Sequence, residues 1–304
     1  MDNIILCICT YKRNNKLIDC LLSIKRLKLL KKFNIKILIL DNTINFSSKN
    51  IIKNFKKKID FKIFLKNEKR RGVVFARNAC LDFINKENPK YVGFIDDDCI
   101  LDPNWLINTT KTINNLNADV VTGPQHYNKN NFHKDKINYT MFFEKSYKKD
   151  ISKVNWAATN NVFFKYSIIK NNSLKFDQNL NKFGMGEDQL FFLQLSKLGK
   201  KIYWSKEISV TETIHAHRLS LNWLIKRSYR LGILGNYIDR KMHGNLFGIL
   251  INYIKSIYFL LKFILILFLP FKKNYFISLN NNLFRAIGKF LGPILFKKIN
   301  FLNN

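Results

Sequence analysis

Three adjacent aspartates, Asp96, Asp97 and Asp98, follow an apolar run in the stretch VGFIDDDCILDPNWL, residues 92 to 106. The chain carries a formal net charge of +31, so this crowding of carboxylates requires a physical reason. Two carboxylates at positions i and i+2 of a loop can close around one hard cation and leave coordination positions for phosphate oxygens and water. A solvated acidic loop is the alternative, because surface acid pairs are common. The position directly after an apolar strand favours a site for Mg²⁺ or Mn²⁺.

A second pair of carboxylates, Glu187 and Asp188, follows two glycines in the stretch GMGEDQLFF, residues 184 to 192. The pattern predicts that an amphipathic helix begins here, and the helix dipole favours anions in the first turn. Ordinary helix-start chemistry is therefore one interpretation. A carboxylate held on a tight turn facing a metal site is also what a general base requires. The stretch is a candidate for the position of a catalytic base.

The segments that position these residues are short apolar runs that end in polar residues: NIILCICTY, IKILILDNT and YVGFIDDDC. Helical spacing of apolar residues separates them, which predicts a parallel sheet covered by helices on both faces. Ligands of such sheets bind at the carboxyl ends of the strands. We therefore expect Thr10, Tyr11, Asp41 and the aspartate cluster to face one crevice. Further strands are predicted in NADVVTGPQHY, NWAATNNVFFKYSII and KKIYWSKEISVTET, the last as a strand pair.

From about residue 246 the chain becomes strongly apolar, as in IYFLLKFILILFLPF, residues 257 to 271. A helix that spans a bilayer needs roughly 20 apolar residues. Extending this one far enough would place Asn252, Lys255 and Lys262 in the bilayer, at about 2.5 to 3.5 kcal/mol for each lysine near the centre. A helix in the membrane interface with snorkelling lysines costs less. The sequence favours this interfacial helix over a span, with a buried core helix third.

The composition bounds the partners and the compartment. A pI near 9.9 points to anionic partners, whether nucleic acid, phosphorylated small molecules or an anionic membrane surface. The five cysteines include no CxxC pair and no zinc-finger spacing, which predicts buried small side chains in a reducing compartment. The N-terminus opens with an acid and a short apolar run, so no cleavable targeting signal is expected.

Five segments in order carry a family resemblance: CTYKR, LILDNT, RGVVFARN, FIDDDC and GMGEDQLF. With them the chain resembles family 2 glycosyltransferases of the exopolysaccharide or succinoglycan type, from Asn3 to about Gly232. The resemblance implies an α/β, Rossmann-like GT-A fold of the nucleotide-diphospho-sugar transferases, with a C-terminal amphipathic helical extension that associates with membranes. Cys9 stands where proline is frequent in the family, and His215 stands where relatives often carry proline.

The resemblance also implies a division of the chain into three parts. Residues 1–120 would form the nucleotide-sugar-binding half and residues 121–240 the acceptor-binding and catalytic half. Residues 241–304 would form hydrophobic, basic helices that associate with the membrane.

Roles follow residue by residue from the matched motifs. The nucleotide-binding residues implied in this way are Thr10, Tyr11, Arg13, Asp41, Arg77, Asp96 and Asp97. Among them Asp41 would accept a hydrogen bond from the base edge, and Asp96 would contact the ribose. Asp98, with Asp96, would ligate the Mn²⁺ or Mg²⁺ that bridges the diphosphate. Asp188 would deprotonate the acceptor hydroxyl, with Glu187 as its orienting neighbour.

Several residues remain open between a functional and a structural role. They are His215, His217, Arg218, Arg227, Arg230, Trp156 and Trp223. The histidines would complete the metal shell or touch the diphosphate, the arginines would bind phosphates and the tryptophans would stack on a sugar. Local hydrogen bonding, a solvated basic helix face and ordinary packing are the alternatives.

The resemblance implies an inverting glycosyltransferase that moves a sugar, with UDP as the expected carrier, to a hydroxyl of a glycan or lipid-linked acceptor. The setting would be cell-surface polysaccharide biosynthesis at the cytoplasmic face of the inner membrane, with peripheral or monotopic attachment. A nucleotidyltransferase would want a glycine-rich basic loop near its start, which TYKRNNK lacks. A nucleic-acid-binding protein leaves both carboxylate groups unexplained, so no nucleic acid is expected. An inactive membrane scaffold of the same fold is the remaining alternative.

Overall fold

The computed structural model describes residues 2–28, 32–128, 147, 149–214, 216–269, 274–298, 300 and 301. Within these residues the chain divides into two compact units. The first runs to Tyr127 and from residue 147 to Thr213, and the second takes in Asn128 and the chain from Ile214 onward.

The first unit is built on two sheets. Its strands are β1 (Asp2–Thr10), β2 (Phe33–Asp41), β3 (Lys62–Asn67), β4 (Tyr91–Asp96), β5 (Cys99–Leu101), β6 (Val120–Thr122), β7 (Gln125–Tyr127), β8 (Ile151–Val154), β9 (Asn161–Lys165), β10 (Ile202–Ser205) and β11 (Val210–Glu212). Among the described residues, eight strands form one sheet in the order β3-β2-β1-β4-β9-β6-β10-β8, and three form a second in the order β5-β11-β7.

The helices of the first unit connect and cover these strands. They are α1 (Asn14–Lys25), α2 (Lys49–Phe55), α3 (Val73–Glu87), α4 (Trp105–Leu116), α5 (Ser167–Lys170) and α6 (Glu187–Lys197). The mixed α/β architecture predicted from the alternation of apolar runs and helical spacing is confirmed.

The central strands are apolar throughout because helices cover both faces of the sheet. Along β1, Ile4, Leu6 and Ile8 belong to one core cluster, whereas Ile5 and Cys7 belong to the other. All five side chains are fully buried. Burying an Ile or Leu side chain stabilises the fold by about 1.5 to 3 kcal/mol, so this strand anchors the unit.

The predicted parallel arrangement holds for neighbouring strands β3, β2, β1 and β4, but β9 runs antiparallel to both of its neighbours. A strand buried on both faces has the same apolar pattern in either direction, so its orientation could not be predicted. The predicted strand pair at residues 200 to 213 is also different, because β10 and β11 belong to separate sheets.

The register of the parallel strands brings polar residues to one edge. Thr10 lies beside Asp41 at the ends of β1 and β2, and Cys9 lies beside Asp96 at the end of β4. The predicted crevice residues therefore share the carboxyl edge of the sheet, where ligands of such folds bind.

The second unit consists mainly of three long helices, α7 (Leu221–His243), α8 (Asn245–Leu267) and α9 (Tyr275–Leu295). Within the described part of the chain, α8 alone is long and apolar enough to cross a membrane. The eight-stranded sheet contains strands from both predicted halves, 1–120 and 121–240. The boundary between the two compact units instead falls after residue 213. The assignment of functions to these halves stays a prediction.

Candidate active site

The aspartate cluster lies at the turn that joins β4 to β5. Asp97 and Asp98 are buried, whereas the side chain of Asp96 is 40% exposed at the end of its strand. The hydroxyl of Thr10 donates a hydrogen bond of 2.7 Å to Oδ2 of Asp97. Loss of hydration on burial raises the pKa of Asp97 to about 6, although Arg13 and Thr10 favour its charged form. The turn therefore concentrates negative charge at the carboxyl edge of the sheet.

Arg13 supplies the nearest positive charge to this cluster. One guanidinium nitrogen, Nη1, lies 3.0 Å from Oδ1 of Asp97 and 2.7 Å from Oδ2 of Asp98. Partial burial lowers the pKa of Arg13, but the surrounding aspartates outweigh that effect and raise it. The side chain stays about one-third exposed, so Arg13 can reach an anionic ligand from the position where it neutralises the cluster.

Arg77, on α3, joins the end of β4 to the start of α6. Its Nη1 donates to Oε1 of Glu187, and its Nη2 lies 3.4 Å from Oδ1 of Asp96. Burial alone would lower the pKa of Arg77, but the carboxylates of Glu187 and Asp96 raise it. Burial raises the pKa of Glu187 to about 7, against the opposing effect of Arg77. The sequence predicts that Arg77 supports the nucleotide. The structure shows it between the carboxylates of Glu187 and Asp96, and its contact with a nucleotide stays a prediction.

Asp188 occupies the first turn of α6. The preceding Gly186 has a φ of 88°, a left-handed conformation that side chains rarely adopt, and it lets the chain turn sharply into the helix. Oδ1 of Asp188 accepts a hydrogen bond of 2.7 Å from the backbone N–H of Gln189. The side chain is partly exposed, unlike that of its buried neighbour Glu187. Asp188 is thus the accessible member of the pair, as a general base must be.

Asp41 has a local set of partners. Its Oδ1 accepts hydrogen bonds from the backbone N–H and the hydroxyl of Thr43, and its Oδ2 accepts from the same two groups of Ser48. The residue is fully buried. In this structure Asp41 therefore organises the loop after β2, and its predicted contact with a base edge stays a prediction.

Replacing Asp41 by asparagine is expected to destabilise the first unit. The new amide nitrogen would face the two donors, an N–H and a hydroxyl, that one carboxylate oxygen now accepts from. Those hydrogen bonds would be lost, and hydrogen bonds to a charged group contribute about 1.5 to 3 kcal/mol each. Urea unfolding should show the loss, whereas Asp60→Asn, at an exposed aspartate before β3, should leave the midpoint unchanged. Equal midpoints for the two variants would contradict a structural role for Asp41.

Tyr11 and two cations form the rim beside Arg13. The ring of Tyr11 is 40% exposed, with the guanidinium of Arg71 6.0 Å and the ammonium of Lys12 5.5 Å from its centroid. An exposed aromatic ring flanked by cations suits an aromatic, anionic ligand such as a nucleotide. The predicted role of Tyr11 in the nucleotide pocket is compatible with this position.

Glu212 is a candidate site residue that the sequence interpretation missed. It lies opposite Cys99 in the pairing of β11 with β5, and the ligand atoms of Asp98, Cys99 and Glu212 all lie within 4.8 Å of one another. All three residues are buried, and burial together with nearby carboxylates raises the pKa of the Cys99 thiol. The charged donors here are therefore carboxylate oxygens, which Mg²⁺ and Mn²⁺ prefer. The residues present fit a divalent cation at Asp98.

The residues left open by the sequence are distributed over both units. His215 lies outside the described residues. His217 and Arg218 lie in a single 3-10 turn, Ala216–Arg218, of the second unit. Trp156 packs partly buried against the core of the first unit. In α7 the guanidinium of Arg227 lies 5.2 Å from the ring of Trp223, and that of Arg230 lies 4.6 Å from the ring of Phe301. Their functional roles stay predictions.

Sequence comparison relates the chain to characterised proteins. Residues 5–175, more than half of the chain, match the model of Glycosyl transferase family 2. The succinoglycan biosynthesis protein ExoM of Rhizobium meliloti (strain 1021) is 25% identical over 248 residues, which cover 78% of this chain and 75% of that protein. Glycosyltransferase AglE of Haloferax volcanii is 26% identical over 135 residues, 44% of this chain and 43% of the relative.

Solved structures share the fold at low sequence identity. The mannosyltransferase PcManGT from Pyrobaculum calidifontis, in complex with GDP-Man and Mn²⁺, has a TM-score of 0.61 at 11% identity and covers 96% of this chain and 87% of its own. Residues 1–349 of S. aureus TarS, solved with UDP and with UDP-GlcNAc, have a TM-score of 0.54 at 14% identity, with 93% and 90% covered. The predicted GT-A fold is confirmed.

Proposed function

The chain belongs to glycosyl transferase family 2 and is a glycosyltransferase, and from that premise we propose that it catalyses an inverting, metal-dependent transfer of a sugar from a nucleotide sugar to an acceptor hydroxyl. The observation that carries the proposal is a contact network at one edge of the sheet. Arg13 pairs with both Asp97 and Asp98, and Thr10 bonds to Asp97, while Asp188 lies at the start of a helix in the same unit.

The donor site consists of the aspartate cluster and its rim. Asp98 and Asp96 would hold Mn²⁺ or Mg²⁺, with Glu212 beside Asp98. The cation supplies positive charge where the diphosphate leaving group gains negative charge. Tyr11, Arg13 and Arg71 offer an aromatic face and cations to the nucleotide. The structural neighbours bound to UDP, UDP-GlcNAc and GDP-Man support a nucleotide-sugar donor, and we favour UDP as its carrier.

Asp188 accepts the proton of the acceptor hydroxyl during attack. The acceptor oxygen forms a bond to the anomeric carbon as the bond from that carbon to the diphosphate oxygen breaks, and the nucleoside diphosphate leaves with the bonding electrons. Attack from the opposite face converts an α-linked donor into a β-linked product. Glu187 and Arg77 hold the start of α6 in place beneath Asp188, so the base keeps its orientation.

The acceptor class follows from the similarity to a succinoglycan biosynthesis protein and from the apolar second unit. We propose a glycan or lipid-linked acceptor in polysaccharide biosynthesis. The enzyme would act at the cytoplasmic face of the cell membrane, attached peripherally or monotopically, with an anionic membrane surface as a partner.

Calorimetric titration tests the donor site. Purified protein is titrated with UDP, GDP and dTDP, each with and without Mn²⁺, as wild type, as Asp98→Ala and as Asp82→Ala, a control at an exposed aspartate of α3. We expect one nucleotide to bind, only with Mn²⁺, and to lose that binding in Asp98→Ala but not in Asp82→Ala. Binding without the cation would overturn metal dependence, and absence of any nucleotide binding would favour an inactive scaffold.

A further inference from the structure

Helix α8 has the reverse of the polarity that water-soluble proteins show. Its buried residues are Gly248, Asn252 and Ser256, which are small or polar. Ten of its large apolar side chains are instead exposed, namely Leu246, Phe247, Leu250, Ile254, Ile257, Leu260, Leu261, Ile264, Leu265 and Leu267. A surface helix of a soluble protein turns its apolar stripe to the core and its polar face to water.

The apolar surface of α8 also extends around most of the helix. At 100° per residue, the strongly polar side chains Asn245, Asn252, Lys255, Ser256 and Lys262 all fall within an arc of about 120°. The remaining arc of about 240° carries apolar side chains and two tyrosines. A helix that lies in the headgroup region needs a broad polar face toward water. The polar arc of α8 is too narrow for that, because α7 and α9 already occupy much of it.

Contacts inside the second unit satisfy three of the five polar side chains of this arc. The amide of Asn252 donates to the backbone carbonyl of Lys289 at 2.7 Å, and the hydroxyl of Ser256 donates to that of Ala286 at 2.8 Å. The ammonium of Lys255 pairs with Asp239 of α7. A helix in hydrocarbon requires its polar groups to be satisfied in this way by protein.

Helix α9 continues the same surface. Its exposed large apolar side chains, Phe276, Ile287, Phe290 and Ile294, lie along one stripe of the helix. The ring of Tyr253 on α8 lies 5.7 Å from that of Phe290, centroid to centroid, so the stripe adjoins the apolar arc of α8. We call the combined exposed residues of α8 and α9 the apolar surface.

Basic side chains lie at one end of the apolar surface. The two helices are antiparallel, since Asn252 contacts Lys289 and Ser256 contacts Ala286, so the start of α8 adjoins the end of α9. Exposed Lys241 and Lys297, together with exposed His243 and Lys298, lie near that end. Basic residues near an anionic membrane surface strengthen binding to it. This charge favours an anionic lipid bilayer as the occupant over an apolar protein groove.

We propose that the apolar surface is immersed in the hydrocarbon of an anionic lipid bilayer, with α8 the deeper helix and the basic end at the headgroups. The inference rests on the membrane association proposed above and specifies it, because it assigns α8 to the acyl-chain region instead of the headgroup region. The contacts of Asn252 and Lys255 with neighbouring helices remove most of the cost that these two side chains would otherwise carry. The ammonium of Lys262 lies 4.7 Å from the ring centroid of Tyr258.

Vesicle flotation tests the partner. The protein, residues 1–304, is mixed with phosphatidylcholine vesicles containing about one-third phosphatidylglycerol, at low salt and at 1 M NaCl. The double variant Leu261→Glu/Leu265→Glu places two charges on the apolar surface, and Leu22→Glu/Leu198→Glu places two on exposed leucines of the first unit as the matched control. We expect wild type and control to float at both salt concentrations and the α8 variant to bind at least about 10-fold more weakly.

Three flotation outcomes would overturn the proposal. In the first, 1 M NaCl alone releases the wild type from the vesicles. In the second, the α8 variant and its control bind the vesicles equally. In the third, the protein does not bind vesicles and forms a defined oligomer, in which a second copy covers the apolar surface. Nucleotide titration of the same variants distinguishes a failure of the membrane inference from a failure of the proposed transfer reaction. If both variants bind nucleotide with Mn²⁺ but the wild type does not bind vesicles, the membrane inference is wrong and the proposed transfer reaction is unaffected.

Depth is tested by fluorescence quenching. Ile264→Trp adds a tryptophan to the exposed arc of α8, and Leu198→Trp adds one to the first unit as the control. With the wild-type spectrum subtracted, lipids brominated in the acyl chain should quench the added signal of Ile264→Trp and not that of Leu198→Trp. Quenching of Ile264→Trp only by lipids labelled at the headgroup would place α8 at the surface and contradict immersion.

Discussion

Replacing Asp188 by asparagine is expected to lower kcat by about 10²- to 10⁴-fold, the usual contribution of a positioned general base. Asparagine keeps the shape of the side chain and can still accept the hydrogen bond from the N–H of Gln189, so the start of α6 should stay folded. The affinity for the nucleotide-sugar donor should change little, because Asp188 acts on the hydroxyl of the sugar acceptor and not on the donor. The measurement is the rate of nucleoside diphosphate release with saturating donor and acceptor, together with calorimetric donor affinity.

The control is Asp119→Asn, at a partly exposed aspartate outside the proposed site that pairs with Lys165. It should leave kcat unchanged. If Asp188→Asn retained more than about one-tenth of the wild-type rate, which is less than a general base contributes, another group would have to take the proton.

Replacing Arg77 by methionine is expected to destabilise the first unit strongly. The change leaves Glu187 buried without its cation and weakens the support of Asp96. Removing one partner of a buried ion pair costs about 3 to 5 kcal/mol, because the other charge stays unpaired. Urea unfolding followed by tryptophan fluorescence measures this loss, since three of the four tryptophans lie in the first unit.

Two controls make the result specific to the pair. In Arg77→Met/Glu187→Met both charges are gone, and replacing a buried pair by apolar residues is often neutral, so much of the stability should return. Lys175→Met breaks an exposed pair with Asp82 and should cost about 1 kcal/mol or less. A loss in Arg77→Met as small as that of Lys175→Met would show that the pair does not hold α3 and α6 together.

The position of the site could be predicted because strand ends are local features of a sequence. The runs that end at Thr10, Asp41 and Asp96 are continuous and apolar, and parallel strands place such ends at one edge. The pairing of Arg77 with Glu187 could not be predicted in the same way. The two residues are 110 positions apart, and only the packing of α3 and α6 brings them together.

Other features depended on register and on local competition for hydrogen bonds. Glu212 lies beside Asp98 because β11 pairs with β5 in a second sheet, which its apolar pattern does not specify. Asp41 stands at a strand end like the other site residues, but Thr43 and Ser48 take its oxygens. Short polar side chains that follow an aspartate commonly bond to it within a turn, so the loop competes with any ligand.

The second unit shows how tertiary contacts change the cost of a polar residue. In the sequence, Asn252 and Lys255 count against insertion in a bilayer, and they favoured a helix in the interface. In the structure, both are directed to neighbouring helices, where Lys289 and Asp239 bind them. Which side of a helix faces the surrounding solvent or lipid depends on the helices it packs against as well as on its hydropathy.

In the proposed reaction the crowded aspartates hold a divalent cation against a nucleoside diphosphate. Crystals of the protein grown with Mn²⁺ and UDP, measured at a wavelength where manganese scatters anomalously, test it most directly. We predict an anomalous peak bound by Asp98 and by diphosphate oxygens, with Tyr11 and Arg13 beside the nucleotide. UDP bound at this edge with no manganese peak, or a peak bound by other residues, would contradict the account.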